Sequence, residues 1–175
     1  MAADLTWYFA YGSNMQRATF RERRALSPAE VSVGWLEGYA LCFDIPVGPG
    51  LRGVANLARA DDSRVWGVLY LLNAEQHAHL DRTEGVSAGV YRRMLVPIQT
   101  QYGSTVEAET YISELRDPAR RPSHRYLSLL LDGARENALP DGYIHALEKW
   151  DLAWDERDGA FNPPELRPQP QNSSS

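Results

Sequence analysis

Apolar residues in this chain fall mostly in short alternating runs, and glycine, proline, asparagine and serine punctuate them. Leu5 to Tyr11 is dense in aromatic residues and predicts a strand. Gly12 permits a tight turn after it, and Asn14 is placed to cap a short helix from Met15 to Phe20. The Arg21-Glu22-Arg23-Arg24 cluster then reads as a solvated helix end or turn. Val33 to Ile45 alternates loosely through Trp35, Tyr39, Leu41 and Phe43 and predicts a long strand bent near Gly38. After a turn over Pro46 to Gly50, Leu51 to Leu57 and Val65 to Leu72 predict two further strands, joined by a polar connection from Arg59 to Arg64.

Asn73 is placed to cap a helix through Ala74, Ala78 and Leu80, with Gln76 completing a capping box and the end near Glu84-Gly85. Tyr91 to Tyr102 and Thr105 to Ser113 predict a hairpin around Gly103-Ser104, and Pro97 puts its first strand at an edge or a bulge. Ser123 caps a helix reaching about Ala138, with Leu127, Leu130 and Leu131 on its apolar side. A last helix carries Tyr143, Ile144, Leu147 and Trp150. Strands and helices do not alternate regularly, which argues against a doubly wound sheet. The pattern predicts an α+β domain over residues 1–154, with a small mixed β-barrel or strongly curved sheet of about six or seven strands and flanking helices. Residues 155–175 are polar and rich in proline and serine, and are expected to form a disordered tail.

Composition narrows the function classes. The chain has 175 residues, enough for one domain with a real core. A net charge of -5 gives no basis for a nucleic-acid surface. No run approaches the roughly 20 apolar residues that cross a bilayer, and the N-terminus lacks a basic, apolar leader pattern. The single cysteine, Cys42, fits a reducing, cytoplasmic compartment; its strand context predicts a buried, inert thiol. Lys149 is the only lysine, which argues against Schiff-base chemistry and a P-loop.

Two segments carry the candidate chemistry. Tyr8-Phe9-Ala10-Tyr11-Gly12-Ser13-Asn14 runs from a strand into a turn whose successive N–H groups have no ladder or helix partner. Such groups bind a carboxylate or a developing oxyanion. Leu80-Asp81-Arg82-Thr83-Glu84-Gly85-Val86 is a helix end that presents Glu84 beside a glycine, where the chain turns and leaves room for a ligand. Each also has a plain reading: a capped turn in one case, a solvated glutamate in the other. Together they describe a loop of donors facing one general base, suited to proton transfer on a small polar molecule. Ser13 lacks the Gly-x-Ser-x-Gly elbow of a nucleophile. His77 and His79 are two apart on a predicted helix, so they face different directions and read as surface residues, not metal ligands.

Four blocks in order resemble the γ-glutamylcyclotransferase family. They are Tyr8 to Asn14, Val65-Trp66-Gly67-Val68, Leu80 to Tyr91, and Gly133-Ala134-Arg135-Glu136-Asn137-Ala138-Leu139-Pro140. The resemblance spans about Leu5 to Leu147. It implies a mixed β-barrel and release of an amino acid or amine from a γ-glutamyl group with formation of 5-oxoproline. Glu84 matches the family's catalytic glutamate. Tyr8, Phe9, Ala10, Tyr11, Gly12 and Ser13 match its substrate-binding loop, which Asn14 completes; Tyr91, Tyr111 and Tyr126 match tyrosines of its pocket. The glutathione-specific branch usually has leucine where this chain has Asn14, which argues against that branch.

The expected protein is therefore a cytoplasmic γ-glutamylcyclotransferase, monomer or homodimer. It needs a small-molecule γ-glutamyl substrate, no cofactor or metal, and neither nucleic acid nor membrane as partner. Two other readings remain open: a non-catalytic module that binds a small anion in the same pocket, and, less favoured, a serine hydrolase using Ser13.

Overall fold

The strands β1 (Leu5–Ala10), β2 (Glu30–Pro46), β3 (Gly53–Asn73), β4 (Arg92–Thr100) and β5 (Thr105–Ile112) close into one barrel. A computed structural model describes residues 4–48 and 50–154; the expected disordered tail over 155–175 lies outside the described residues. The barrel order is β1-β3-β2-β4-β5, antiparallel except where β5 returns beside β1 in parallel at Trp7↔Ala108 and Tyr8↔Glu109.

The barrel class is as expected, but five strands stand among the described residues in place of six or seven. The difference lies in β3, which unites the two strands expected on either side of Arg59 to Arg64. The polar stretch stays in the strand because its side chains have cross-strand partners. Arg59 lies over the Tyr39 ring at 4.9 Å, and Arg64 meets Glu37 at 3.3 Å. Pairing does slip here: Glu37 faces Arg64 while Tyr39 faces Arg59, so residues 60–63 bulge opposite Gly38. Gly38 has φ +76°, the bend read from the sequence.

Strand β4 pairs along its length with β5 but meets β2 only at Gly34↔Thr100 and Trp35↔Gln99. Pro97, which has no N–H to give, lies on the part that β2 does not reach. Phe9, Leu36, Leu57, Leu69 and Ile98 are wholly buried inside the barrel core.

Helix α1 (Ala74–Glu84) begins at the capping box of Asn73 and Gln76, as read from the sequence. Helix α2 (His124–Glu136) is capped by Ser123 and buries Leu127, Leu130 and Ala134; helix α3 (Asp141–Glu148) follows. Among the described residues no helix is long and apolar enough to cross a membrane.

The helix expected over Met15 to Phe20 is replaced by a 3-10 turn at Ser13–Met15 and a π-helical turn at Thr19–Arg23. Packing outweighs propensity in this segment. Met15 and Phe20 are both fully buried, and the Phe20 ring stacks on Tyr70 at 3.8 Å. Helix α2 presses on this turn through Gly133, where a Cβ would stand 2.6 Å from the Met15 backbone. Gly133→Val should therefore cost about 1–3 kcal/mol of stability, roughly 2–12 °C in Tm. A thermal midpoint within a degree of wild type would mean that α2 yields freely.

Candidate active site

Glu84 is the last residue of α1. Buried Leu80 holds that end of the helix to the barrel, and Gly85, at φ +69°, stops it by donating its N–H to the Asp81 carbonyl. The Glu84 carboxylate thus points into the fold with a side-chain exposure of only 13%. It accepts a hydrogen bond from Asn14 Nδ2 at 3.1 Å and pairs with the Arg24 guanidinium at 3.1 Å. Burial pushes its pKa above the ordinary glutamate range, and Arg24 and Asn14 pull against that rise.

The facing loop is shaped by crowding. Gly12 has φ −110°, outside the left-handed region, and a Cβ there would lie 3.2 Å from the Tyr126 hydroxyl and 3.3 Å from Ala55 Cβ. Asn14 does not cap a helix as expected. It is buried, its Nδ2 donates to Tyr8 Oη at 3.0 Å as well as to Glu84, and its Oδ1 accepts from Arg24 Nε at 3.3 Å. The Tyr70 hydroxyl donates to the Asn14 carbonyl at 2.9 Å, so the loop is fixed from behind.

Loop and carboxylate line one pocket of about 200 Å³. Of the residues singled out in the sequence, Tyr8, Tyr11, Gly12, Ser13, Asn14, Glu84, Tyr91, Tyr111 and Tyr126 all line it. Phe9 and Ala10 are not among its lining residues; both are buried in the barrel core. Tyr11 donates to the Tyr111 carbonyl at 2.5 Å, and Tyr126 Oη accepts the Ala55 N–H at 3.1 Å. Burial raises the pKa of all five tyrosines, to about 12 for Tyr126 and higher for Tyr91 and Tyr111. They are neutral phenols near pH 7, each able to give one proton and accept others.

Sequence reading missed Arg24, Val54 and Ala55, which also line the pocket. Arg24 was read as part of a solvated cluster, and nothing in its spacing links it to Glu84, sixty residues on. His79 helps to hold it, bonding the Arg24 carbonyl at 2.8 Å. His77, expected at the surface, is buried between Glu109 at 3.0 Å and Thr6 at 2.8 Å, because α1 packs its first turns on the seam of β1 and β5. Cys42 is half-buried rather than buried; loss of solvation and Asp44 push its thiol up to about 11, which leaves it protonated near pH 7.

A γ-glutamylcyclotransferase of Bos taurus is 32% identical to this chain over 140 residues, covering 78% of this chain and 73% of that protein. This chain belongs to the γ-glutamylcyclotransferase family. The γ-glutamylcyclotransferase of Homo sapiens is 32% identical over 145 residues, covering 81% of this chain and 76% of its own. The model of the AIG2-like family matches residues 64–147, which include Glu84, Tyr91, Tyr111 and Tyr126. A solved γ-glutamyl cyclotransferase superposes with a TM-score of 0.80 at 26% identity, covering 90% of this chain and 98% of that one. The protein is accordingly an enzyme of the γ-glutamylcyclotransferase type.

Proposed function

We propose that this γ-glutamylcyclotransferase cyclises a γ-glutamyl amino acid or amine in the Tyr8–Glu84 pocket, with Glu84 as general acid and base. The reading is carried by one observation: a single buried carboxylate faces the Gly12–Asn14 loop across a small pocket. The substrate brings its own nucleophile, the α-amine, so folding the γ-glutamyl chain makes the reaction intramolecular. Near pH 7 that amine is an ammonium. Glu84 takes one proton from it, and the freed amine attacks the γ-carbonyl carbon. The new C–N bond closes a five-membered ring and places negative charge on the carbonyl oxygen, which loop N–H groups and the Tyr8 hydroxyl stabilise. Glu84 then gives its proton to the leaving nitrogen as the old C–N bond breaks, takes the second proton from the ring nitrogen, and passes it to the departing amine, which leaves as an ammonium. The products are 5-oxoproline and a free amino acid or amine. The half-buried single cysteine is consistent with the reducing cytoplasmic setting proposed for this chemistry.

A binding module for a small anion would have no use for a buried carboxylate opposite its donor loop, because like charges repel. The discriminating test is turnover of a panel of γ-glutamyl compounds with detection of 5-oxoproline. Release from at least one of them supports the enzyme; tight binding with no release from any favours the module.

The ionisation of Glu84 gives a second test. Glu84 must be charged to accept a proton, so kcat/KM should fall as pH drops through its raised pKa. Arg24 lowers that pKa. Arg24→Gln should therefore move the acid limb to higher pH. A limb that stays put or moves down would mean that another group titrates.

A further inference from the structure

Asp81 lies three residues before Glu84, one turn earlier on α1, and the reaction drawn above does not use it. Its Oδ1 accepts the Tyr111 hydroxyl at 2.8 Å. Arg93 grips the same carboxylate with both arms, Nε at 2.7 Å and a terminal nitrogen at 2.6 Å. Arg93 stands directly across the β4–β5 ladder from Tyr111, so the strand pairing itself sets this triangle. The other terminal nitrogen of Arg93 bonds Glu109 at 2.8 and 2.9 Å, and Glu109 meets the buried His77. The chain of contacts thus runs from the pocket tyrosine to the β1–β5 seam.

The geometry points to Asp81 as a positioning residue: by accepting the Tyr111 hydroxyl's hydrogen bond, it leaves the Tyr111 oxygen as an acceptor for the α-ammonium of the γ-glutamyl group. This rests on the γ-glutamyl reading of the pocket. A phenol has one proton to give; once that is committed to Asp81, its oxygen offers lone pairs only. Tyr8 is oriented the opposite way. It accepts from Asn14, a bond that does not use its own proton. The rings of Tyr8 and Tyr111 meet edge to face at 5.7 Å. The pocket therefore pairs a phenol set as donor with a phenol set as acceptor. The γ-glutamyl head is a zwitterion whose carboxylate needs donors and whose ammonium needs acceptors.

The two carboxylates of α1 are held in different states. The Arg93 hydrogen bonds keep Asp81 below the ordinary carboxylate range, while burial lifts Glu84 above it. Environments that push two such groups apart divide their roles. Asp81 stays an anion and keeps the Tyr111 proton in place, while Glu84 exchanges protons with substrate.

The test uses two ligands that differ only in the amine, γ-glutamyl-L-alanine and glutaryl-L-alanine, titrated calorimetrically into the Glu84→Gln chain. That background slows turnover by about 10²–10⁴-fold and removes the carboxylate as the ammonium's charged partner. The amine-bearing ligand should bind on the order of tenfold tighter, the worth of one hydrogen bond to a charged group. Adding Asp81→Asn should abolish the preference, and so should Tyr111→Phe, which keeps the ring and the Asp81–Arg93 pair. Combining the two should cost no more than either, because both remove one interaction. Equal weakening of both ligands by Asp81→Asn would make Asp81 a purely structural residue. Additive losses would separate it from Tyr111, and an amine preference that survives in Tyr111→Phe overturns the proposal even if Asp81→Asn fails to fold. The γ-glutamyl reading fails separately, if the wild-type chain releases 5-oxoproline from none of the γ-glutamyl panel.

Discussion

Replacing Glu84 with glutamine is expected to lower kcat by about 10²–10⁴-fold, the usual contribution of a positioned acid–base group. The amide has nearly the shape of the carboxylate and can still lie beside Asn14 and Arg24, so the fold and Tm should hold. It cannot accept the ammonium's proton or return one to the leaving nitrogen. Substrate binding should suffer less than kcat, because most of the pocket is unchanged. The measurement is 5-oxoproline release at saturating substrate, with circular dichroism as the control for folding. A variant that keeps more than about a tenth of the wild-type rate would remove Glu84 from the reaction. Any residual activity should also lack the acid limb. If the limb persists unchanged, the titrating group is another residue or the substrate.

The Gly12→Val variant should lose about 10²-fold in kcat/KM, the scale on which a displacement of about 1 Å at a reacting centre is felt. The cause is crowding. A Cβ at position 12 already meets the Tyr126 hydroxyl at 3.2 Å and Ala55 at 3.3 Å, and the branched methyls of valine would force the loop or Tyr126 aside. Gly12→Ala should therefore be much milder. Because Gly12 touches neither Glu84 nor Arg24 among the contacts that set the carboxylate's state, the acid limb should stay where it is. A Gly12→Val enzyme with wild-type KM would mean that the loop does not hold substrate.

The local signals were readable where they depend on a few neighbouring residues. The Asn73–Gln76 capping box, the Gly38 bend, the Pro97 placement and the Ser123 cap each stand where sequence put them, because turn and cap chemistry act within three or four residues. The Leu80–Gly85 helix end was legible for the same reason. What misled was local reading of positions whose partners are far away. Asn14 looked like a cap, but Tyr8, Glu84 and Arg24 claim its side chain. The polar run from Arg59 to Arg64 looked like a loop until Tyr39 and Glu37 stood across from it.

Sequence alone therefore settled most of the elements and the mixed α+β class, since alternation, caps and breakers are short-range properties of a chain, and the resemblance in four ordered blocks supplied the pocket tyrosines. The closing of five strands by a parallel β1–β5 contact was left to the fold. So were the pairing of Arg24 with Glu84 across sixty positions, the burial of His77, and the exclusion of Phe9 and Ala10 from the pocket wall. These depend on which side chains meet once the barrel closes. Burial then sets the strength of each polar contact, because a carboxylate removed from water answers to the few groups beside it.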